Sequence, residues 1–234
     1  MILWLFEFGY VLQHMAVLFL VKAINNKRTT EGISIETLYF FTIGSLSRML
    51  WMWDSMLANF YIAYIEVLLG LSVLGYTIYL YNNYKQNDYV LADFKMPPYL
   101  SFPVLLIIIV IMSFLFHPGN KNSYFFTIQM FVSLNIYSEC IGLLPQLYLI
   151  YNKKDTGIIS DNYVIFLAIA RLLRLVFWFK MYIDGNSFMS LILADLIHTI
   201  LLGYFIYSYK KNSSIFEMPT FMSEDSNDKR KKVF

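Results

Sequence analysis

The sequence predicts an all-α integral membrane protein of seven transmembrane helices followed by a polar tail. Of its 234 residues, 58% are hydrophobic and only 15% charged, against about 45–50% apolar and about 25% charged in soluble domains. Seven segments, roughly 2–23, 33–53, 56–82, 98–116, 123–151, 160–183 and 187–209, reach the about 20 mostly apolar residues that cross a bilayer. Lysine and arginine fall almost wholly on one side of those segments.

The first segment has no basic region ahead of its apolar stretch and no small-residue cleavage site, so it reads as a retained helix rather than a secretory signal. It stops at Asn25-Asn26-Lys27-Arg28. The second opens at Gly32-Ile33-Ser34 and carries Arg48, and the third carries Glu66. The fourth follows Met96-Pro97-Pro98, stops at His117-Pro118-Gly119-Asn120, and has no charged or amide side chain. It reads as a lipid-facing connector between two three-helix units. The fifth carries Glu139, and the sixth carries Arg171, Arg174 and Lys180 before Asp184-Gly185-Asn186. The seventh carries Asp195 and His198 and ends among Tyr207 and Tyr209, as in an interfacial aromatic belt. The division is a transmembrane domain over 1–209 and a disordered cytosolic tail over 210–234, the tail being rich in Ser, Asp, Glu and Lys.

Orientation follows from the basic residues. Lys22, Lys27, Arg28, Lys85, Lys95, Lys153, Lys154, Lys210, Lys211 and Lys229 to Lys232 share one side, and Lys121 alone lies on the other. The basic side is cytosolic by the positive-inside rule, which puts the N-terminus in the lumen. The net charge of +2, with no basic stripe, argues against a nucleic-acid partner. A single cysteine, Cys140, excludes an intrachain disulfide. No metal cluster, Ser–His pair or phosphate loop is readable, so neither an enzyme nor a metal or cofactor is expected.

Ionisable side chains inside a span cost roughly 3 kcal/mol or more unless paired or hydrated. The spans keep Glu7, Glu66, Glu139 and Asp195 against Arg48, Arg171, Arg174 and Lys180, a balance that predicts internal pairing. At 1.5 Å per residue, Arg48 lies roughly 22 Å, and Arg171 and Arg174 roughly 15 and 20 Å, from the cytosolic side. Asp195 and His198 lie roughly 12 and 16 Å below the lumenal side. Arg171, Arg174 and Trp178 share one helix face. Two guanidiniums beneath an indole suit a carboxylate ligand, and the expectation is a lumen-open cavity with a basic floor.

Several stretches resemble the KDEL receptors, the ER lumen protein-retaining receptors. They are Gly32-Ile33-Ser34 with the later Arg48; Tyr137-Ser138-Glu139-Cys140-Ile141-Gly142-Leu143-Leu144-Pro145-Gln146-Leu147; Tyr163 to Tyr182 with Arg171 and Trp178; and His198-Thr199-Ile200-Leu201. The Leu-Pro-Gln element is shared with SWEET and other PQ-loop transporters. The resemblance implies a SWEET/PQ-loop-like arrangement of three plus one plus three helices. It also implies a receptor that binds C-terminal retention tetrapeptides of ER lumenal proteins, pH-dependently, and returns them from Golgi to ER in COPI vesicles. On that resemblance Arg48 and Arg171 hold the ligand's carboxylates, Trp178 packs over the peptide, and Glu139 joins a buried protonation-linked network. His14 matches the histidine of the family's first span, a residue type that changes charge between pH 5 and 8. The sequence departs from the family where Glu7 replaces an arginine, Gln129 an acid, Met181 an arginine, Met49 a tyrosine and Trp51 an aspartate. Arg174 and Asp195 are additions, and both join the candidate ligand-binding set.

Lys231 and Lys232 resemble the dilysine signal read by the COPI coat; a basic end touching anionic lipid is the plainer reading. The localisation implied is the endoplasmic reticulum and Golgi membranes. The alternative function is a small-solute transporter of the PQ-loop or SWEET type.

Overall fold

The computed structural model describes residues 2–54, 61–85, 96–117, 127–153, 157–185 and 189–216. Among these, eight α-helices follow in order: α1 Ile2–Lys27, α2 Ile35–Trp51, α3 Tyr61–Tyr84, α4 Phe102–Phe116, α5 Gln129–Gly142, α6 Leu144–Lys153, α7 Asp161–Ile183 and α8 Met189–Phe216. The α5 and α6 helices are two limbs of one rod, broken at Leu143, where Pro145 supplies no backbone N–H. The rods coincide with the seven apolar segments, but α8 continues past Tyr209 to Phe216, beyond the expected start of the tail. Lys231 and Lys232 lie outside the described residues, as does residue 217 onward.

Three helices are long and apolar enough to cross a membrane on those grounds alone: Leu3–Lys27, Tyr61–Tyr84 and Met189–Lys211. The α2 and α5 helices are shorter, and α7 carries two arginines in its middle. Packing turns the usual pattern of a soluble protein inside out. Ile107, Ile111, Leu68, Leu69, Ile197 and Ile200 face outward, whereas Arg48, Arg171, Glu139 and Gln13 are buried. Such an exterior is stable in an apolar solvent and unfavourable in water.

The helices interlock in two groups. The α1 helix packs along α7 and α2 along α5; α3 covers α1 and α2, and α8 covers α5 and α7. The α4 helix leans on α5 with Leu105, Ile109 and Ser113 buried and exposes Val104, Ile107, Ile108, Val110, Ile111 and Leu115, an apolar outer face of the kind the sequence predicts for a connector. One apolar cluster holds Leu20, Ile24, Leu147, Ile150, Leu167 and Phe205. A second holds Phe6, Trp51, Val67, Ile136, Phe177 and Leu191. On α5, α7 and α8 the buried charged residues Glu139, Arg171, Arg174 and Asp195 fall between the two clusters in chain order.

Helix starts repeat between the groups. Ser34 caps α2 by accepting from the Thr37 N–H at 3.4 Å, and Ser160 caps α7 by accepting from the Tyr163 N–H at 3.3 Å. Each cap follows a glycine with positive φ, Gly32 at 82° and Gly157 at 57°. Gly157 abuts the Glu31 carbonyl, which accepts from the Ile158 N–H at 3.1 Å.

Gln146 connects the second motif to the first. Its Oε1 accepts from the Ser34 N–H at 2.8 Å and its Nε2 donates to the Gly32 carbonyl at 2.6 Å. The Leu-Pro-Gln element is thus a clamp on the turn that starts α2, which explains why it accompanies Gly-Ile-Ser. Gln146→Ala strands both backbone groups, and an expected loss of about 2–4 kcal/mol is checked as a lowered Tm of the detergent-purified protein.

Candidate functional site

One face of α1 organises the site. Glu7, Tyr10 and His14 recur at helical spacing, with Gln13 alongside, and all four are buried. Close approach of the neighbouring helices is possible because glycines stand opposite the largest polar groups. A Cβ on Gly70 would overlap the His14 ring, and one on Gly44 would meet Ser138 Oγ at 2.9 Å and Glu139 Cγ at 3.2 Å. One on Gly9 would meet the Arg174 Cγ at 2.8 Å.

Two charge groups result. In the first, Arg48 Nη2 donates to both oxygens of Glu7 at 2.7 and 2.8 Å, and Nη1 donates to Glu66 Oε2 at 2.6 Å. The other Glu66 oxygen lies 2.5 Å from His14 Nδ1. In the second, Glu139 Oε2 accepts from Arg171 Nη2 at 2.9 Å and from Arg174 Nη1 at 2.8 Å, while Oε1 accepts from Gln13 Nε2 at 3.1 Å. Arg171 Nη1 faces Asp195 Oδ1 at 3.5 Å. Tyr10 separates the groups, with the Arg48 Cζ 3.7 Å and the Arg174 Cζ 4.4 Å from its ring centroid. Its hydroxyl accepts from Asn135 Nδ2 at 2.9 Å. Arg48 and Arg174 each stand fourteen residues after their capping serine, so equivalent positions of α2 and α7 converge on one ring.

The structure thus brings Arg48, His14, Glu139, Arg171, Arg174 and Asp195 into one buried layer. Trp178 sits apart from the ion pairs in an aromatic group, its ring 6.2 Å from Phe6 and 5.2 Å from Phe177. The basic, lumen-open floor is not what forms. Arg48, Arg171 and Arg174 are 1–2% exposed and compensated by carboxylates. A bare guanidinium among apolar helices is too costly to persist, so the added acids turn inward onto it. Lys180 leaves the expected set: it is exposed and pairs with Asp184 at 2.7 Å. Among the described residues the buried balance is therefore three arginines against four carboxylates.

Sequence reasoning passed over Tyr10, Gln13 and Asn135, and gave Glu66 and Glu7 no part in ligand binding. The 3–4–7 spacing of Glu7, Tyr10 and His14 along α1 was the available signal. Glu139 serves two arginines, whereas Arg48 keeps Glu66 if Glu7 is neutralised. Glu139→Gln is therefore expected to destabilise by about 3–5 kcal/mol and Glu7→Gln by less than half of that, read as Tm and monodisperse yield.

A sequence profile of the ER lumen protein retaining receptor family matches residues 29–181, well over half of the chain. The human ER lumen protein-retaining receptor 2 is 32% identical over 89 residues, 38% of this chain and 42% of the relative's own length. The Gallus gallus receptor 2 is 30% identical over the same extent of 89 residues. The ER lumen protein-retaining receptor of Petunia hybrida is 25% identical over 223 residues, covering 92% of this chain and 99% of the relative. The matched interval contains Arg48, Gly44, Glu139, Gln146, Arg171 and Trp178, while Glu7, His14 and Asp195 fall outside it. The chain belongs to the ER lumen protein retaining receptor family, a family of receptors rather than enzymes.

Proposed function

We propose that this protein is a receptor for C-terminal retention signals of ER lumenal proteins, returning them from Golgi to ER. The carrying observation is family membership across residues 29–181. All seven rods span the membrane in this reading, as three, one connector (α4) and three, with the N-terminus lumenal and the C-terminus cytosolic. The matching caps at Ser34 and Ser160, and the mirrored packing of α3 and α8, support that plan. Lys231 and Lys232 serve as the COPI signal on the cytosolic side. Arg48, Arg171, Arg174, Glu139, His14 and Asp195 form the ligand-responsive layer, and Trp178 lines the approach to it. Against a PQ-loop solute transporter, Gln146 is committed to the backbone of Gly32 and Ser34.

The closed charge layer supports a proton-linked mode of binding. Three arginines and four carboxylates leave one excess negative charge when the histidines are neutral. An anionic peptide end adds another, and taking up a proton at the same time offsets it. Binding coupled to proton uptake tightens as pH falls. His14 lies in contact with Glu66 within this layer. Binding of C-terminal tetrapeptides is expected to be about tenfold or more tighter at about pH 5.5 than at about pH 7.4. Equal affinity at both, measured on purified protein, refutes the coupling. Arg171→Ala, which strips Glu139 and Asp195 of a shared partner, is expected to release a tagged ER lumenal reporter into the medium.

A further inference from the structure

The three buried guanidiniums differ in what their nitrogens already hold. Arg48 commits Nη1 to Glu66 and Nη2 to Glu7. Arg171 commits Nη2 to Glu139 and faces Asp195 with Nη1. In each of these two only Nε is buried without a partner. Arg174 uses Nη1 alone, on Glu139, and both its Nε and its Nη2 are buried and unpartnered. Those two nitrogens lie side by side on one edge of the guanidinium. That edge grips a carboxylate through two parallel N–H···O bonds, and buried donors left unmade are otherwise selected against.

Neighbouring groups point the same way. His198 is fully buried on α8 with neither ring nitrogen partnered. One turn earlier, Asp195 Oδ2 is likewise without a partner and can accept an N–H. A peptide C-terminus presents a carboxylate together with the amide N–H of its last residue. The Tyr10 ring covers one face of Arg174, so a carboxylate meets this guanidinium edge-on. At Arg48 the same carboxylate would first have to eject Glu7 and leave it unpaired.

We infer that Arg174, not Arg48, takes the carboxylate of the bound peptide's C-terminus. The inference rests on the receptor reading above. Arg174→Lys keeps a positive charge against Glu139 but has no two-nitrogen edge, and Arg174→Gln removes both; either one that folds, judged by monodispersity and Tm, serves. The probes are tetrapeptides with free α-carboxylates and the same tetrapeptides as C-terminal amides, bound to purified protein. Wild type is expected to prefer the acid form by at least about tenfold, and the folded variant to lose most of that preference. A preference retained in the variant overturns the assignment, as does a tenfold gain in acid binding by Glu7→Gln, which would put the carboxylate on Arg48. Equal binding of acid and amide by wild type overturns it while leaving the receptor reading intact; binding of neither form overturns both.

Discussion

Neutralisation of guanidinium charge between apolar helices is the constraint on which the rest of this structure depends. Glu139 is its centre, with one carboxylate oxygen bonded to two arginines on α7 and the other to an amide on α1. That arrangement requires α1, α5 and α7 to meet closely, with Gly9 on α1 facing Arg174 and Gly44 on α2 facing Glu139 where a Cβ would crowd them. Charge therefore specifies the packing here more than apolar shape does, because the exterior and both internal clusters are apolar alike.

Three positions that depart from the KDEL-receptor resemblance, Glu7, Arg174 and Asp195, enter the buried charge layer. Glu7 stands where the KDEL-receptor resemblance expects an arginine, and it meets Arg48. Arg174 and Asp195, both additions, join the Glu139–Arg171 pair without altering its net charge. Glu66, on α3, links Arg48 to His14. Each of the three departures meets a partner already in the layer: Glu7 meets Arg48, Arg174 meets Glu139 and Asp195 faces Arg171.

Much of the fold was legible in the sequence because each rod is written as an apolar run with polar punctuation. The apolar outer face of 98–116 and the internal pairing of most of the intramembrane charges could be read there. The end of α8 could not, since Lys210 and Lys211 mark the edge of the apolar run and not the end of the helix. The site residues were identified by type and depth, but their pairing was not. One-dimensional spacing shows that Arg171 and Arg174 share a face; it does not show that Glu139 arrives from another helix to bridge them. Tyr10 carries no charge and sits in an aromatic-rich helix, so nothing marked it as the spacer between two cations.

The Gln146 clamp has a mechanical corollary. It staples the first turn of α6 to the turn entering α2, while the Glu31 carbonyl ties that same turn to the loop entering α7. Three rods are thus pinned at one end, like tweezers joined at the base. Displacement among them must grow with distance from that base and be greatest at the far tips, where Phe6, Trp51 and Trp178 converge.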